Sequence, residues 1–336
     1  MYESFYGFTE KPFSLLPDPS FLYLGKKHSA AYAMLEYGLM NQAGFTVITG
    51  DVGSGKTTLV RHLLDQLDED MTVGLISNTP RDIGQLLQWV LLAFDQDYRE
   101  ENQVALFDTF NQFLISQYSA NKRTVLIIDE AQNLQPHILE ELRMLSNINA
   151  DKYQILQMIL VGQPQLLALL KDPELLQFRQ RIASDYFLKS LERDEVAAYI
   201  KHRIHHAGVE EEVFTEEAVD LLHQASNGVP RLVNVLCDTA LVYGFAEQQK
   251  TIGVDLVKAV LEDKSNSGLI EVDMPKAPET VPGQNMDQKV EQKPELVENP
   301  YSEEAAPKTR KRADKSAALK GRTLDKDTIK HLFFKN

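Results

Sequence analysis

Residues 50–57 read Gly-Asp-Val-Gly-Ser-Gly-Lys-Thr. This stretch matches in full the pattern of a glycine, four variable residues, a second glycine, a lysine, and a serine or threonine. In that pattern the glycines let backbone N–H groups wrap phosphate oxygens, the lysine supplies a charge, and the hydroxyl ligates Mg²⁺. The sequence therefore predicts a phosphate-binding loop.

The segments on either side of the loop support this interpretation. The β-branched run at residues 45–49 predicts a strand before the loop, and apolar residues recur at helical spacing after it. The start of that helix offers the positive end of its dipole to the same phosphates. We expect ATP and Mg²⁺ as ligands, and the predicted nucleotide-binding residues are Gly50, Asp51, Val52, Gly53, Ser54, Gly55, Lys56, Thr57 and Thr58.

A second motif lies at residues 125–130, where Val-Leu-Ile-Ile-Asp-Glu forms an apolar run that ends in two carboxylates. In P-loop enzymes an aspartate at the tip of a strand beside the loop helps to hold Mg²⁺. An adjacent glutamate can orient and deprotonate the attacking water. The alternative is a buried strand whose acidic end only marks its exit to solvent. With the loop present, we assign Thr57 and Asp129 to the metal and Glu130 to the water.

Gln163 follows the next apolar strand and is a candidate for a residue that places the water near the terminal phosphate. The alternative is a plain strand-ending turn, because Gly162 and Pro164 already explain one.

Three arginines are further candidates. Arg179 and Arg181 precede the last predicted strand, and an arginine delivered to the γ-phosphate of a neighbouring subunit would stabilise charge in the transition state. The alternative for both is a surface salt bridge. Arg231 follows Gly228-Val229-Pro230 at the start of a helix, from which it could reach back to the phosphates.

The chain divides by pattern into three regions. Residues 45–190 alternate short β-branched runs with helical patterns, which predicts a parallel sheet sandwiched by helices in an α/β domain spanning residues 1–191. Residues 192–264 carry only helical patterns and predict a small all-α lid domain. Residues 265–336 are rich in Pro, Glu, Lys, Gln and Ala, so we expect a disordered tail, with a candidate short helix at its end.

Composition narrows the partners. The net charge of −14 argues against broad coating of nucleic acid, which needs clustered Lys and Arg. The single cysteine, Cys237, excludes an intramolecular disulfide and fits a reducing compartment. The opening residues lack the pattern of a signal peptide, and no stretch reaches the roughly 18 apolar residues of a membrane span. We expect a cytoplasmic protein that meets the inner membrane only peripherally, through partners or a basic tail.

The ordered set GDVGSGKT, LIIDEAQNL, LVGQPQL, FRQRI and GVPRL resembles the AAA+ ATPases of the ExeA/GspA secretion family. The opening also looks like that family, and the similarity covers about residues 1–264. The matching opening positions are Tyr2, Phe5, Tyr6, Gly7, Lys11, Pro12, Phe13, Pro17, Asp18, Pro19, Phe21, Leu22, Tyr23 and Leu24. Stretches such as GFTVITGDVGSGKTTLVRHLL and LEELRMLSNINADK look closest to a soluble branch from exosortase and exopolysaccharide gene clusters of Gram-negative bacteria.

The resemblance implies a five-stranded AAA+ sheet in the order 5-1-4-3-2, a helical lid, and an N-terminal segment, through about His28, that closes over the adenine. It also implies a role for each matching residue: Lys56 and Thr57 in Walker A, Asp129 and Glu130 in Walker B, Gln163 as first sensor, Arg181 as arginine finger and Arg231 as second sensor. The longer secretion members carry a transmembrane helix and a peptidoglycan-binding domain after the ATPase, where this chain has its mixed-charge tail.

Three functions remain open on sequence. The first is an ATP-hydrolysing motor or switch, a homo-oligomer that serves envelope export in exopolysaccharide production, protein sorting or secretion. The second is an ATP-dependent DNA-binding regulator of the transposition-control or origin-loading type, against which the acidic charge counts. The third is an adaptor that binds ATP but scarcely hydrolyses it, against which the intact Asp129-Glu130 pair counts.

The basic run between Lys308 and Arg322 also has two interpretations. It is either a solvated tail or a tether, in which the basic residues attract an anionic surface and the apolar end docks on a partner.

Overall fold

A five-stranded parallel sheet lies at the centre of the computed structural model, which describes residues 1–67, 70–77, 86–100, 102–150 and 153–268. Its strands are β1 (Phe45–Gly50), β2 (Met71–Ile76), β3 (Arg123–Ile128), β4 (Leu156–Gly162) and β5 (Ile182–Leu188). They pair in the order β2-β3-β4-β1-β5, and every pairing is parallel. This confirms the predicted order 5-1-4-3-2. The predicted tail at residues 269–336 lies outside the described residues.

The strand register brings the functional motifs to one edge of the sheet. Thr49, near the end of β1, pairs with Gly162 of β4, and Ile128 of β3 pairs with Leu160 of the same strand. The carboxyl ends of β1, β3 and β4 therefore lie side by side. In open α/β sheets that edge is where ligands bind.

Burial explains why the sequence of the central strands was so apolar. Every residue of β1 and β4, and all but the first of β3, is buried, because helices cover both faces of the sheet. The edge strands β2 and β5 are only partly buried. The surrounding helices are α1 (Glu3–Tyr6), α2 (Lys26–Met40), α3 (Lys56–Gln66), α4 (Leu86–Ala93), α5 (Gln103–Ser119), α6 (Pro136–Leu145), α7 (Pro164–Leu170) and α8 (Leu176–Arg179).

Alternate residues of each central strand enter different apolar clusters. Val125 and Ile127 of β3 pack on the face covered by α2 and α3, whereas Leu126 and Ile128 pack on the face covered by α4 to α8. Short elements complete this part: single 3-10 turns at Pro19–Phe21, Ala131–Asn133 and Pro173–Leu175, and an antiparallel pair of two-residue strands, Asn149–Ala150 and Tyr153–Gln154.

Four helices follow the sheet: α9 (Arg193–His206), α10 (Glu216–Ser226), α11 (Pro230–Ala246) and α12 (Val254–Ser267). The hydroxyl of Thr215 accepts a hydrogen bond from the backbone N–H of Ala218 at 3.2 Å, so this residue caps α10 as the sequence suggested. Helix α12 continues to Ser267, three residues into the region expected to be disordered. Gly268 then ends it in a left-handed conformation with φ of 62°. None of the described helices is long and apolar enough to cross a bilayer.

The opening segment packs with these four helices. Tyr2, Tyr6, Phe8 and Phe13 are buried in the apolar cluster that α9 to α12 form, and the Tyr2 hydroxyl donates to Asp238 of α11. This segment falls within the α/β domain predicted for residues 1–191, and these domain limits stay a prediction. The packing attaches its aromatic side chains to the helical part.

Candidate nucleotide-binding site

The loop between β1 and α3 has the backbone that a phosphate cradle requires. Gly53 and Gly55 have φ of 79° and 97°, a left-handed region that disfavours residues with a Cβ. A Cβ on Gly53 would also lie 2.6 Å from the Cβ of Arg231, and a Cβ on Gly55 would lie 3.0 Å from Nε2 of His28. The backbone conformation therefore favours glycine at both positions, and at Gly53 the lack of space requires it as well.

Lys56 begins α3 and is folded into the loop with only 7% of its surface exposed. Its ammonium group donates to the carbonyl oxygens of Gly50 and Asp51, at 2.8 Å each. Burial lowers the pKa of Lys56, and the carboxylates of Glu130, Asp129 and Asp51 oppose that shift. The loop thus holds a buried cation beside the position that a phosphate would occupy.

Thr57 and Asp129, the two residues assigned to the metal, lie next to each other. The Thr57 hydroxyl donates to Oδ2 of Asp129 at 2.8 Å, and the backbone N–H of Glu130 donates to Oδ1 at 2.8 Å. Burial raises the pKa of Asp129, while these two hydrogen bonds favour its ionised form. A hydroxyl and a carboxylate are the hard oxygen donors that Mg²⁺ takes, so this pair fits the ion.

Glu130 lies one residue beyond, in a left-handed backbone conformation with φ of 54° and ψ of 35°. Its carboxylate oxygen Oε2 accepts a hydrogen bond from the side-chain amide of Gln163 at 3.0 Å. The same oxygen accepts a second bond, at 2.5 Å, from the amide of Gln132. The structure brings Glu130 and Gln163 together, and it adds Gln132, which the sequence analysis did not single out.

Arg231 is brought to the loop from the helical part of the chain. Its backbone N–H donates to the carbonyl oxygen of Gly53 at 3.2 Å, and its side chain lines the same cleft as Lys56, Glu130 and Gln163. The first turn of α11 is therefore placed against the phosphate loop.

Arg181 and Arg179 lie away from the cleft. Arg181 donates to the Ser146 hydroxyl at 3.0 Å, and Arg179 donates to the carbonyl oxygen of Lys171 at 3.4 Å. Ile182, the residue after Arg181, pairs with Phe45 at the start of β1, whereas the phosphate loop follows the end of that strand. Five residues at about 3.3 Å each separate the two ends by roughly 16 Å. Neither arginine therefore forms part of the site within its own subunit.

The segment from Ser14 to Tyr23 forms the far wall of the cleft, and Arg203 of α9 fastens this segment to the helices. The buried guanidinium donates to the carbonyl oxygens of Pro12, at 2.5 Å, and Ser14, at 3.3 Å. It also lies 4.6 Å from the ring centroid of Phe21. We did not predict Arg203 from the sequence, where a lone arginine in an amphipathic helix carries no distinguishing signal.

His28, at the start of α2, touches the back of the loop. It is 4% exposed, and its Nε2 lies 3.0 Å from the carbonyl oxygen of Ser54. Burial lowers the pKa of this imidazole, which favours the neutral form. A neutral ring with its proton on Nε2 donates to that carbonyl.

Residues 39–170 match the family described as AAA domain. The chain is similar to General secretion pathway protein A of Aeromonas hydrophila, with 40% identity over 264 residues. That alignment covers 78% of this chain and 48% of the relative, so the chain spans about half the length of the curated relative it matches.

Several solved structures have a similar fold. The ORC2 protein of Aeropyrum pernix superposes with a TM-score of 0.57 at 17% identity, covering 76% of this chain and 72% of that chain. Cdc6p from Pyrobaculum aerophilum gives a TM-score of 0.57 at 18% identity, covering 75% and 70%. Drosophila ORC bound to DNA gives 0.53 at 16% identity, covering 76% and 67%. At such low identity these likenesses show the P-loop NTPase fold alone.

Proposed function

We propose that this chain, which carries an AAA domain and resembles General secretion pathway protein A in sequence, binds ATP with Mg²⁺ and hydrolyses it. The observation that carries the proposal is the 2.8 Å hydrogen bond between the hydroxyl of Thr57 and the carboxylate of Asp129. It joins the phosphate loop to the acidic strand tip, next to the carboxylate of Glu130. Lys56, Thr57 and Glu130 line one cleft, and Asp129 is joined to it by its hydrogen bond with Thr57.

In the proposed reaction a water oxygen attacks the γ-phosphorus of ATP and Glu130 takes the proton that the water loses. The bond between this phosphorus and the β–γ bridging oxygen breaks, which yields ADP and phosphate. Lys56 and the loop N–H groups hold the phosphates, and Mg²⁺ bound at Thr57 and Asp129 would neutralise their charge. Gln163 holds the Glu130 carboxylate, and Arg231 approaches the loop from α11.

The direct test is phosphate release from ATP by the full chain, with and without Mg²⁺. We expect turnover to stop when the metal is chelated, and Asp129→Asn to lower it about 100-fold or more because a ligand charge is lost. Asp65→Asn, the same change at an exposed site on α3, should leave turnover unchanged. Phosphate release that survives both chelation and Asp129→Asn would overturn the proposal.

We further propose that hydrolysis drives a motor or switch for envelope export, in exopolysaccharide production, protein sorting or secretion. The support is the 40% identity to a protein named for the general secretion pathway. We place this function in the cytoplasm, with any membrane contact made through partners. In a strain that lacks the gene, complementation with Glu130→Gln should fail to restore the secreted protein or surface polysaccharide that the wild type restores. Normal levels of both in the uncomplemented strain would exclude an export role.

A further inference from the structure

Gln132 joins the ends of two neighbouring strands through its side-chain amide. It lies in the single 3-10 turn Ala131–Asn133, directly after the Asp129-Glu130 pair. Its Nε2 donates to Oε2 of Glu130 at 2.5 Å, and its Oε1 accepts the backbone N–H of Gln163 at 2.9 Å. One side chain therefore uses its donor on the end of β3 and its acceptor on the end of β4.

The side chain of Gln163 completes the arrangement. Its Nε2 donates to the same Glu130 oxygen at 3.0 Å, so three hydrogen bonds connect Glu130, Gln132 and Gln163 in a closed ring. The backbone at Gly162 also passes close to this ring, since a Cβ there would lie 3.0 Å from Oε1 of Gln132 and 2.9 Å from a methyl carbon of Leu166. The backbone at the end of β4 is thus held close to the Gln132 amide.

We propose that Gln132 is a positioning residue for the hydrolytic step, which ties the Glu130 carboxylate to the end of β4. The inference rests on the proposed function, because it assumes that Glu130 handles the water. Gln163 faces the cleft that would hold the γ-phosphate, so a shift of Gln163 on nucleotide binding moves Gln132 and, through it, Glu130. The ring makes the position of the base depend on what occupies the phosphate site.

The side-chain chemistry makes this role specific to an amide. Gln132 needs a donor and an acceptor at the same reach, and among side chains of its length only glutamine offers both. Methionine has a similar length and neither strong group, whereas glutamate would place a second carboxylate against Glu130. Since a displacement of about 1 Å at a reacting group can cost 10²-fold in rate, we expect Gln132→Met to lower kcat about 10- to 100-fold.

The experiment measures kcat and KM for ATP, together with Mg-ATP affinity by calorimetry, on the full chain. We expect Gln132→Met to lower kcat while KM and affinity stay within about threefold of the wild type, because the loop and metal residues are untouched. Gln132→Glu keeps the length of the side chain but replaces the amide donor with a second carboxylate against Glu130, so this variant should be at least as impaired. Gln66→Met, the same change at the exposed end of α3, serves as the matched control and should be silent.

A double-mutant cycle with Gln163→Met separates positioning from general damage. Because both amides hold one oxygen, the double variant should lose little more kcat than the worse single variant, instead of the product of the two losses. A kcat for Gln132→Met within twofold of the wild type, or fully multiplicative losses, would overturn the positioning role. A wild-type chain without turnover, or an active Glu130→Gln, would instead overturn the proposed function, so the two failures are distinguishable.

Discussion

Glu130 shows at the residue scale how the site departs from ordinary local preference. A left-handed backbone costs an L-residue with a Cβ about 1–2 kcal/mol, and such conformations persist where the surroundings enforce them, often at functional sites. Here the preceding Asp129 accepts the N–H of Glu130, and two amides hold its carboxylate. The sequence predicted that both carboxylates belong to the site, because they follow an apolar run that is typical of a buried strand. The left-handed backbone conformation of Glu130 could not be predicted, since no sequence pattern indicates it.

Gln163 could be predicted as a site residue from the sequence, whereas Gln132 could not, and the reason is similar. Gln163 was a candidate because it follows an apolar strand, and the parallel register places every strand end at one edge of the sheet. Gln132 lies in an irregular turn where no periodicity applies, and its partners are the neighbouring carboxylate and a backbone N–H 31 residues away. Contacts of that second kind are visible only once the strands are paired.

Lys56 is the first residue whose replacement tests the site. Replacing it with alanine removes the one buried cation of the loop, and hydrogen bonds to charged groups are worth about 1.5–3 kcal/mol each. We expect Mg-ATP affinity to fall by about 100-fold or more, measured by calorimetry. Lys122→Ala, at an exposed position before β3, is the control and should bind as the wild type does. Affinity of Lys56→Ala within a few-fold of the wild type would contradict the phosphate-loop assignment.

Helices and strands were largely predictable at the element scale. Each central strand is buried on both faces, so its sequence is a short continuous apolar run. In the amphipathic helices the apolar residues recur at helical spacing. The placement of the opening segment was not predictable from such patterns. Its contacts reach residues far along the chain, such as the bond from Tyr2 to Asp238, 236 positions away. Aromatic content alone does not specify which helices receive these side chains.

Arg203 allows the attachment of the opening segment to be tested, because its hydrogen bonds connect the Ser14–Tyr23 wall of the cleft to α9. Arg203→Met removes its hydrogen bonds to the carbonyls of Pro12 and Ser14 and leaves those acceptors unpaired. We expect the free energy of unfolding to fall by about 1–3 kcal/mol, and amide hydrogen exchange in residues 12–23 to accelerate. Mg-ATP should also bind more weakly, since this wall lines the cleft.

The control for this prediction is Arg193→Met. Arg193 lies at the surface, at the start of α9, where it pairs with Glu216 and Asp220, so its loss should affect stability less. Unchanged exchange in residues 12–23 of Arg203→Met would show that the aromatic side chains alone hold the segment in place.

The proposed role of Arg181 depends on whether several copies of the chain assemble. The residue lies at the edge of the sheet opposite the phosphate loop, so any contact with a γ-phosphate must be made in a neighbouring subunit. Arginine suits that role because it stays charged and presents a planar fork to phosphate oxygens. Such fingers are worth about 10³ to 10⁵ in rate in related P-loop systems.

We therefore predict that Arg181→Ala binds ATP normally and hydrolyses it poorly, and that mixing it with Lys56→Ala restores partial turnover. In mixed assemblies some interfaces pair an intact loop with an intact finger. If the mixture is as inactive as its components, Arg179→Ala should be examined in the same way. Wild-type turnover that stays linear with protein concentration in a strictly monomeric sample would contradict a finger that acts between subunits.

The role of Glu130 in hydrolysis is tested by comparing the phosphate release and the Mg-ATP affinity of Glu130→Gln with those of the wild type. The amide keeps the shape of the side chain but cannot accept the proton of the attacking water. We predict Mg-ATP affinity close to that of the wild type together with a loss of turnover of about 10²-fold or more. Undiminished phosphate release by Glu130→Gln would show that another group activates the water.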